Sequence, residues 1–171
     1  MKFTVPLKET WLDYPSPDGI AVIVYFCGCE HHCKGCHSSL LQQEYEYAES
    51  NEEILEKIKK YASKVNTNKL VFLGGDPIYV KNIPLTTFLV NNLSDEFDIC
   101  VFTGYDIDYV KKIGIEGVRY WKCGKFDIDK SRESKKTDEE YVLASPNQNF
   151  YDGNYELISI NGILKFNKKE I

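Results

Sequence analysis

Apolar and polar positions along the chain alternate between two rhythms. Ile20 to Phe26 (IAVIVYF) is an unbroken apolar, β-branched and aromatic run, which predicts a strand covered on both faces, as in a parallel sheet. The rhythm then turns helical. Ser50 or Asn51 can cap a segment running through Glu52 and Glu53 towards Val65, with Ile54, Leu55, Ile58 and Tyr61 on one face and acids at its start. Lys69 to Leu73 (KLVFL) predicts the next strand, Gly74-Gly75-Asp76-Pro77 a turn, and Ile83 to Leu93 a second helix. The alternation continues with a strand at Phe97 to Phe102, a Thr103-Gly104-Tyr105 turn, a short helix over Ile107 to Ile113 and a strand at Gly117 to Trp121. Repeated β-α units predict an α/β fold whose largely parallel sheet can curl into a partial (β/α) barrel. In such folds ligands collect at the carboxyl ends of the strands, where the glycine-bearing turns lie.

Two stretches break this pattern. Residues 125–140, and most densely Asp127 to Glu140 (DIDKSRESKKTDEE), are so charged and so poor in apolar side chains that they predict a mobile surface loop ordered by a partner or ligand. The tail over 155–166 (YELISINGILKF) places Asn161-Gly162 between two apolar runs, the signal for a type I′ hairpin. With 171 residues, 43% hydrophobic and 27% charged, the whole span 1–171 reads as one domain with a real core. A formal charge of −5 argues against nonspecific attraction to nucleic acid or an anionic membrane, since both need clustered Lys and Arg. No apolar run approaches the roughly 20 residues that cross a bilayer, and the opening MKFTVPLKETWLDYP has no signal-peptide core, so a soluble cytoplasmic protein is expected.

Cysteine usage changes the picture most. Four of the six cysteines, Cys27, Cys29, Cys33 and Cys36, crowd into ten residues just beyond the first long strand, which points to a metal rather than to disulfides and predicts sensitivity to oxygen. The spacing Cys29-x3-Cys33-x2-Cys36 offers three thiolates. A structural zinc or a fully ligated cluster takes four protein ligands, whereas three cysteines on a 4Fe-4S cluster leave one iron open to chelate a small molecule such as S-adenosylmethionine. The alternative is a zinc site completed by Cys27 or by one of His31, His32 and His37. Cys27 and Cys100 read as small packing residues, Cys123 as a surface thiol, and His31 and His32 as solvated loop residues. At Gly74-Gly75 the main chain can come close to a ligand, its carbonyls can accept from an ammonium, and Asp76 can add a charge-assisted bond; the alternative is an ordinary turn in which Asp76 starts the next helix. Thr103-Gly104-Tyr105 reads first as a structural turn.

Taken together, Asp13-Tyr14-Pro15, Asp18-Gly19, Gly28-Cys29 through Cys33-Lys34-Gly35-Cys36-His37, Gly74-Gly75-Asp76-Pro77, Thr103-Gly104-Tyr105 and Ser145-Pro146-Asn147-Gln148 resemble the radical S-adenosylmethionine superfamily. Within it they resemble the activating proteins of the anaerobic (class III) ribonucleoside-triphosphate reductase. The resemblance implies a partial barrel of that superfamily's type and a 4Fe-4S cluster on Cys29, Cys33 and Cys36 as the catalytic and metal-binding residues. It places S-adenosylmethionine across Gly35, Cys36 and His37, with its amine at Gly74, Gly75 and Asp76 and Thr103 nearby. It further implies reductive cleavage to a 5′-deoxyadenosyl radical that takes hydrogen from a glycine of the reductase large subunit. Reduced flavodoxin or a similar donor would supply the electron, with no nucleic acid and no membrane involved. The chain departs from the wider superfamily at Gly35, where an aromatic is common, at Ser38, where Asn is common, and at Leu73, where a small hydroxyl residue is common. Two other functions stay open: a radical enzyme acting on a small molecule, as the deazaguanine-forming synthases do, and a non-enzymatic zinc or electron-transfer module.

Overall fold

In a computed structural model, which describes residues 1–167, the chain forms eleven strands and three α-helices. Strands β1 (Lys2–Phe3) and β2 (Leu7–Thr10) precede β3 (Ala21–Phe26); after the cysteine loop come β4 (Glu46–Tyr47), α1 (Asn51–Lys64), β5 (Lys69–Gly74), α2 (Ile83–Leu93), β6 (Asp98–Thr103), α3 (Ile107–Ile113) and β7 (Tyr120–Cys123). The remainder is β-rich: β8 (Lys135–Lys136), β9 (Glu140–Val142), β10 (Asn149–Asp152) and β11 (Ile163–Lys165). The main sheet has the order β10-β7-β6-β5-β3-β2. Its four central strands are parallel, and the short edge strands β2 and β10 are antiparallel. The sheet is therefore mixed and open, with no closed barrel.

Period-two alternation gives the sheet two different faces. Val22, Val24, Phe26, Leu70, Phe72, Ile99, Val101 and Trp121 point to the helices, where Ile54, Ile58, Leu89 and Leu93 cover them. Ala21, Ile23, Val71 and Cys100 point the other way and are covered by Tyr14, by Leu143 and by Tyr141 and Leu164 of a second, antiparallel sheet in the order β11-β9-β8. Helix α1 starts as its sequence requires. The Ser50 hydroxyl accepts from the Glu53 amide at 3.1 Å and the Glu53 carboxylate accepts from the Ser50 amide at 2.8 Å, a complete capping box.

Three expectations change. The fourth parallel strand begins at Tyr120, not Gly117, because Gly117 has φ +99° and its α-carbon packs against Ser94. Residues 127–140 are not a free loop: a 3-10 turn over Ile128–Lys130 leads into β8 and β9. The Lys136 side chain there is buried and donates to the Tyr14 carbonyl at 3.2 Å. Asn161 and Gly162 do form a two-residue turn, with φ of +50° and +69° and reciprocal 3.0 Å bonds between Ile160 and Ile163, but β11 then pairs with β9 instead of extending a hairpin. Among the described residues no helix is long and apolar enough to cross a membrane.

Candidate metal and cofactor site

The cysteine loop begins where β3 ends, because Gly28 and Cys29 leave the sheet to bond the carbonyls of Leu41 and Gln42 at 2.8 and 3.0 Å. That closure makes residues 28–42 a compact Ω-shaped loop at the carboxyl edge. The turn after β5 is zipped onto its base: Gly75 donates to the Phe26 carbonyl and Asp76 to the Gly28 carbonyl, each at 2.8 Å. Gly75 is glycine for lack of room. A Cβ there would lie 2.5 Å from the Gly28 carbonyl oxygen and 2.8 Å from that of Leu41. Asn82, at the start of α2, completes the junction by donating to the carbonyls of Cys27 and Asp76, both at 2.8 Å, while its oxygen accepts from Tyr47.

Above this junction lies a cavity of about 460 Å³ between the non-helical face of the main sheet and the second sheet. Its walls bring together Cys29, Cys33, Cys36, His37, Gly74, Gly75, Asp76 and Thr103, every sequence-predicted site residue except Gly35. Gly35 stands outside, with φ +73° and Ile128 of the charged segment packed on its α-carbon. The three loop thiols are half-buried and unpaired by disulfides. Burial pushes the Cys29 thiol up to about 11, with the charges of Asp76, Cys33 and Cys36 acting in the same direction, so ligation of a metal must expel a proton held there. Cys36 donates its amide to the Cys33 carbonyl at 3.2 Å, and the His31 amide donates to Cys29 Sγ at 3.5 Å.

The other cysteines face elsewhere. Cys27 turns its sulfur to the Tyr45 carbonyl at 3.6 Å and is buried, and Cys100 is wholly enclosed beneath the second sheet, as expected of packing residues. Cys123 is a correction: it is not a surface thiol but a buried member of the helix-side core, with its pKa pushed up to about 12 by burial. The site thus gathers three thiols from one loop and no fourth. Soft sulfur donors so placed suit iron-sulfur ligation and leave one position of a four-iron cluster without a protein thiolate.

His31 is the second correction. Far from solvated, its imidazole is 5% exposed and lies 2.8 Å from Asp76 Oδ2. Tyr105 packs against its ring, and the missing side chain at Gly104 makes room, since a Cβ there would fall 2.5 Å from His31 Cδ2. His32 is exposed, as expected. Asp76 does not start a helix; α2 begins seven residues later. Its carboxylate, 2% exposed, accepts from His31, the Thr103 hydroxyl (2.9 and 3.0 Å) and the amides of Ile78 and Gly104, both at 3.0 Å. Asp76 and Thr103 thereby knit the three turns together. Cys29, His31 and Asp76 also offer donor atoms within 4.8 Å of one another.

Sequence reasoning passed over several cavity residues. The floor is a row across the sheet in which Tyr25 pairs with Leu73 and Phe102 with Lys122; Phe126 packs at a tilt against His37 with ring centres 5.4 Å apart. Lys122 carried a signal: a lysine within YWKC, on the alternation phase opposite to Trp121 and Cys123, marks a charge on a covered face.

Fold and thiol loop together define an iron-sulfur protein, and the chain belongs to the family described as a 4Fe-4S single cluster domain, whose model matches residues 17–151. Within curated proteins it is similar to the anaerobic ribonucleoside-triphosphate reductase-activating protein of Enterobacteria phage T4, 26% identical over 104 residues covering 59% of this chain and 67% of that one. It is equally similar to the proteins of that name from Salmonella typhimurium and Salmonella typhi, each 26% identical over 102 residues, 57% of this chain and 66% of theirs. The match thus spans about two thirds of each relative. No solved structure matches the chain significantly.

Proposed function

We propose that the chain activates an anaerobic ribonucleoside-triphosphate reductase by generating a radical on a glycine of the reductase large subunit, using S-adenosylmethionine. The observation that carries this reading is the three-thiol wall: Cys29, Cys33 and Cys36 line the cavity while Cys27, Cys100 and Cys123 do not. The likeness to the reductase-activating proteins supplies the partner. A 4Fe-4S cluster held by those three residues supplies, when bound, one electron to the sulfonium of S-adenosylmethionine at the iron the protein leaves open.

The chain's own residues do the rest. The His31 amide supports the Cys29 sulfur, and the main-chain carbonyls of Gly74 and Gly75 receive the methionine ammonium. Asp76 serves here by holding that turn, since its carboxylate already accepts from four groups. Cys36 and His37, the latter braced by Phe126, face the adenosine, and Gly35 lets the loop pass beneath Ile128. The apolar floor of Tyr25, Leu73 and Phe102 keeps water from the reacting centre. On this reading the four parallel strands and their crossover helices are the partial (β/α) barrel of a radical S-adenosylmethionine enzyme. It works in the cytoplasm with reduced flavodoxin or a similar donor, without nucleic acid or membrane.

The test is anaerobic. Protein reconstituted with iron and sulfide is mixed with S-adenosylmethionine, a reductant and the reductase, and a glycyl radical is sought by electron paramagnetic resonance. The expected result is a doublet on the reductase that is lost when any of the three cysteines becomes alanine. Cleavage of S-adenosylmethionine without that signal rejects the reductase as substrate and leaves a small-molecule target. One observation favours a second reading, the Cys29, His31 and Asp76 donor group, which suits zinc. Isolation of the protein with one zinc and no sulfide would favour it.

A further inference from the structure

The ammonium of Lys122 stands in the cavity wall 4.3 Å from the centre of the Phe102 ring, with no hydrogen bond or ion pair to any described residue. Burial lowers its affinity for a proton, and Asp13 is the acid whose charge it feels most. That carboxylate is engaged by the Thr10 hydroxyl at 2.7 Å. Lys122 is half-buried, and a cavity-facing ammonium whose one described partner is an aromatic face is free to donate to a ligand's oxygen there. The same cavity holds the one buried side-chain oxygen or nitrogen among the described residues that lacks a hydrogen-bond partner, Gln148 Oε1; its amide nitrogen donates to the Gly124 carbonyl at 3.3 Å. One wall therefore presents an unused donor and an unused acceptor.

Their position separates them from the turn that takes the cofactor's ammonium in the function proposed above. Lys122 lies on β7, which the strand order places two strands from β5, whose end carries Gly74 and Gly75. At about 4.8 Å per strand that is roughly 10 Å between strand axes. A methionine carboxylate chelated beside that ammonium belongs to the β5 side of the cavity. Building on the function proposed above, we infer that Lys122 and Gln148 are specificity-determining residues for the polypeptide substrate. Lys122 donates to a main-chain carbonyl next to the target glycine, and Gln148 Oε1 accepts from a main-chain N–H. A glycyl segment suits this wall because it offers both groups of the peptide bond with no side chain to clash with the Phe102 floor.

The experiment compares wild type with Lys122→Met, which keeps the stem and removes the charge, in anaerobic activation of the intact reductase. Initial rates of glycyl-radical formation are measured against the concentrations of reductase and of S-adenosylmethionine separately. The expected result is a rise of about tenfold in the reductase concentration giving half-maximal rate, the worth of one charge-assisted hydrogen bond, with the shift falling on the reductase and not on S-adenosylmethionine. A shift confined to S-adenosylmethionine assigns the ammonium to the cofactor and overturns the inference, as does no shift at all. Lys122→Leu, also without a donor, is read the same way if the methionine variant does not fold. A wild type that cleaves S-adenosylmethionine yet leaves no radical on the reductase removes the activase function and this inference together. Activation by wild type and Lys122→Met alike removes this inference alone.

Discussion

Asp76 concentrates more of the site's order than any cysteine does. Its carboxylate binds an imidazole, a hydroxyl and two amides drawn from three separate turns, and it is almost wholly enclosed. Asn has the same shape but one acceptor oxygen and a donor where an acceptor is needed. Asp76→Asn is therefore expected to destabilise the metal-free protein by about 2–4 kcal/mol, read as a lower urea midpoint in tryptophan fluorescence. A midpoint equal to wild type would mean that the carboxylate does not tie the turns. The contrast with the thiols explains what the sequence discloses. Cys29, Cys33 and Cys36 lie within eight residues on one loop, so their spacing alone places them together. The partners of Asp76 in the other two turns are 27, 28 and 45 residues away, and a histidine in a polar loop carries no local sign that it will be buried. For the same reason Cys123 was misplaced: which phase of a strand faces the helices depends on where the strand begins, and Gly117 obscured that boundary.

Among the elements, those with strong local signals were legible. The helices at Ile83–Leu93 and Ile107–Ile113 have the predicted bounds, and α1 starts at its predicted cap. The small second sheet was not legible, because β8, β9 and β11 have only two or three residues each and draw stability from the main sheet rather than from their own composition. Lys136 shows how a charged segment can still be structural: its stem is buried while its ammonium finds the Tyr14 carbonyl. The contact between β5's turn and the cysteine loop gives a sharper prediction at this scale. The atoms around Gly75 are backbone on both sides, so they cannot swing away as a side chain would. Gly75→Ala is expected to cost about 1–3 kcal/mol through overpacking and to push the loop off the turn. The measurable consequence is reconstitution with much less iron and sulfide per chain than wild type. Full loading of the alanine variant would show that the loop does not need this close approach.

On the scale of the whole molecule, both faces of the sheet hide groups that would rather stay protonated. Cys123 and Tyr47 lie on the helix side, and Cys100, Tyr14 and Tyr141 on the other. Burial raises the pKa of all five, Cys123 to about 12. In the unfolded chain the thiols ionise near 9 and the phenols near 10. Above those values the folded protein binds more protons than the unfolded one, so stability is fully present below about pH 9 and falls as the pH rises through the alkaline range. Lys122 and Lys136 act with the opposite sign, because burial lowers their pKa and folding gains as they lose their protons. Each of the two buried thiols contributes a loss of about 1.4 kcal/mol one pH unit above its unfolded value, and the lysines offset part of it, so the protein is expected to be less stable at about pH 10 than at about pH 8. The check is a pair of urea titrations of the metal-free protein, kept reduced, at those two values. A midpoint that holds steady or rises would mean that the lysines dominate and that the enclosed thiols and phenols are not kept neutral by the fold.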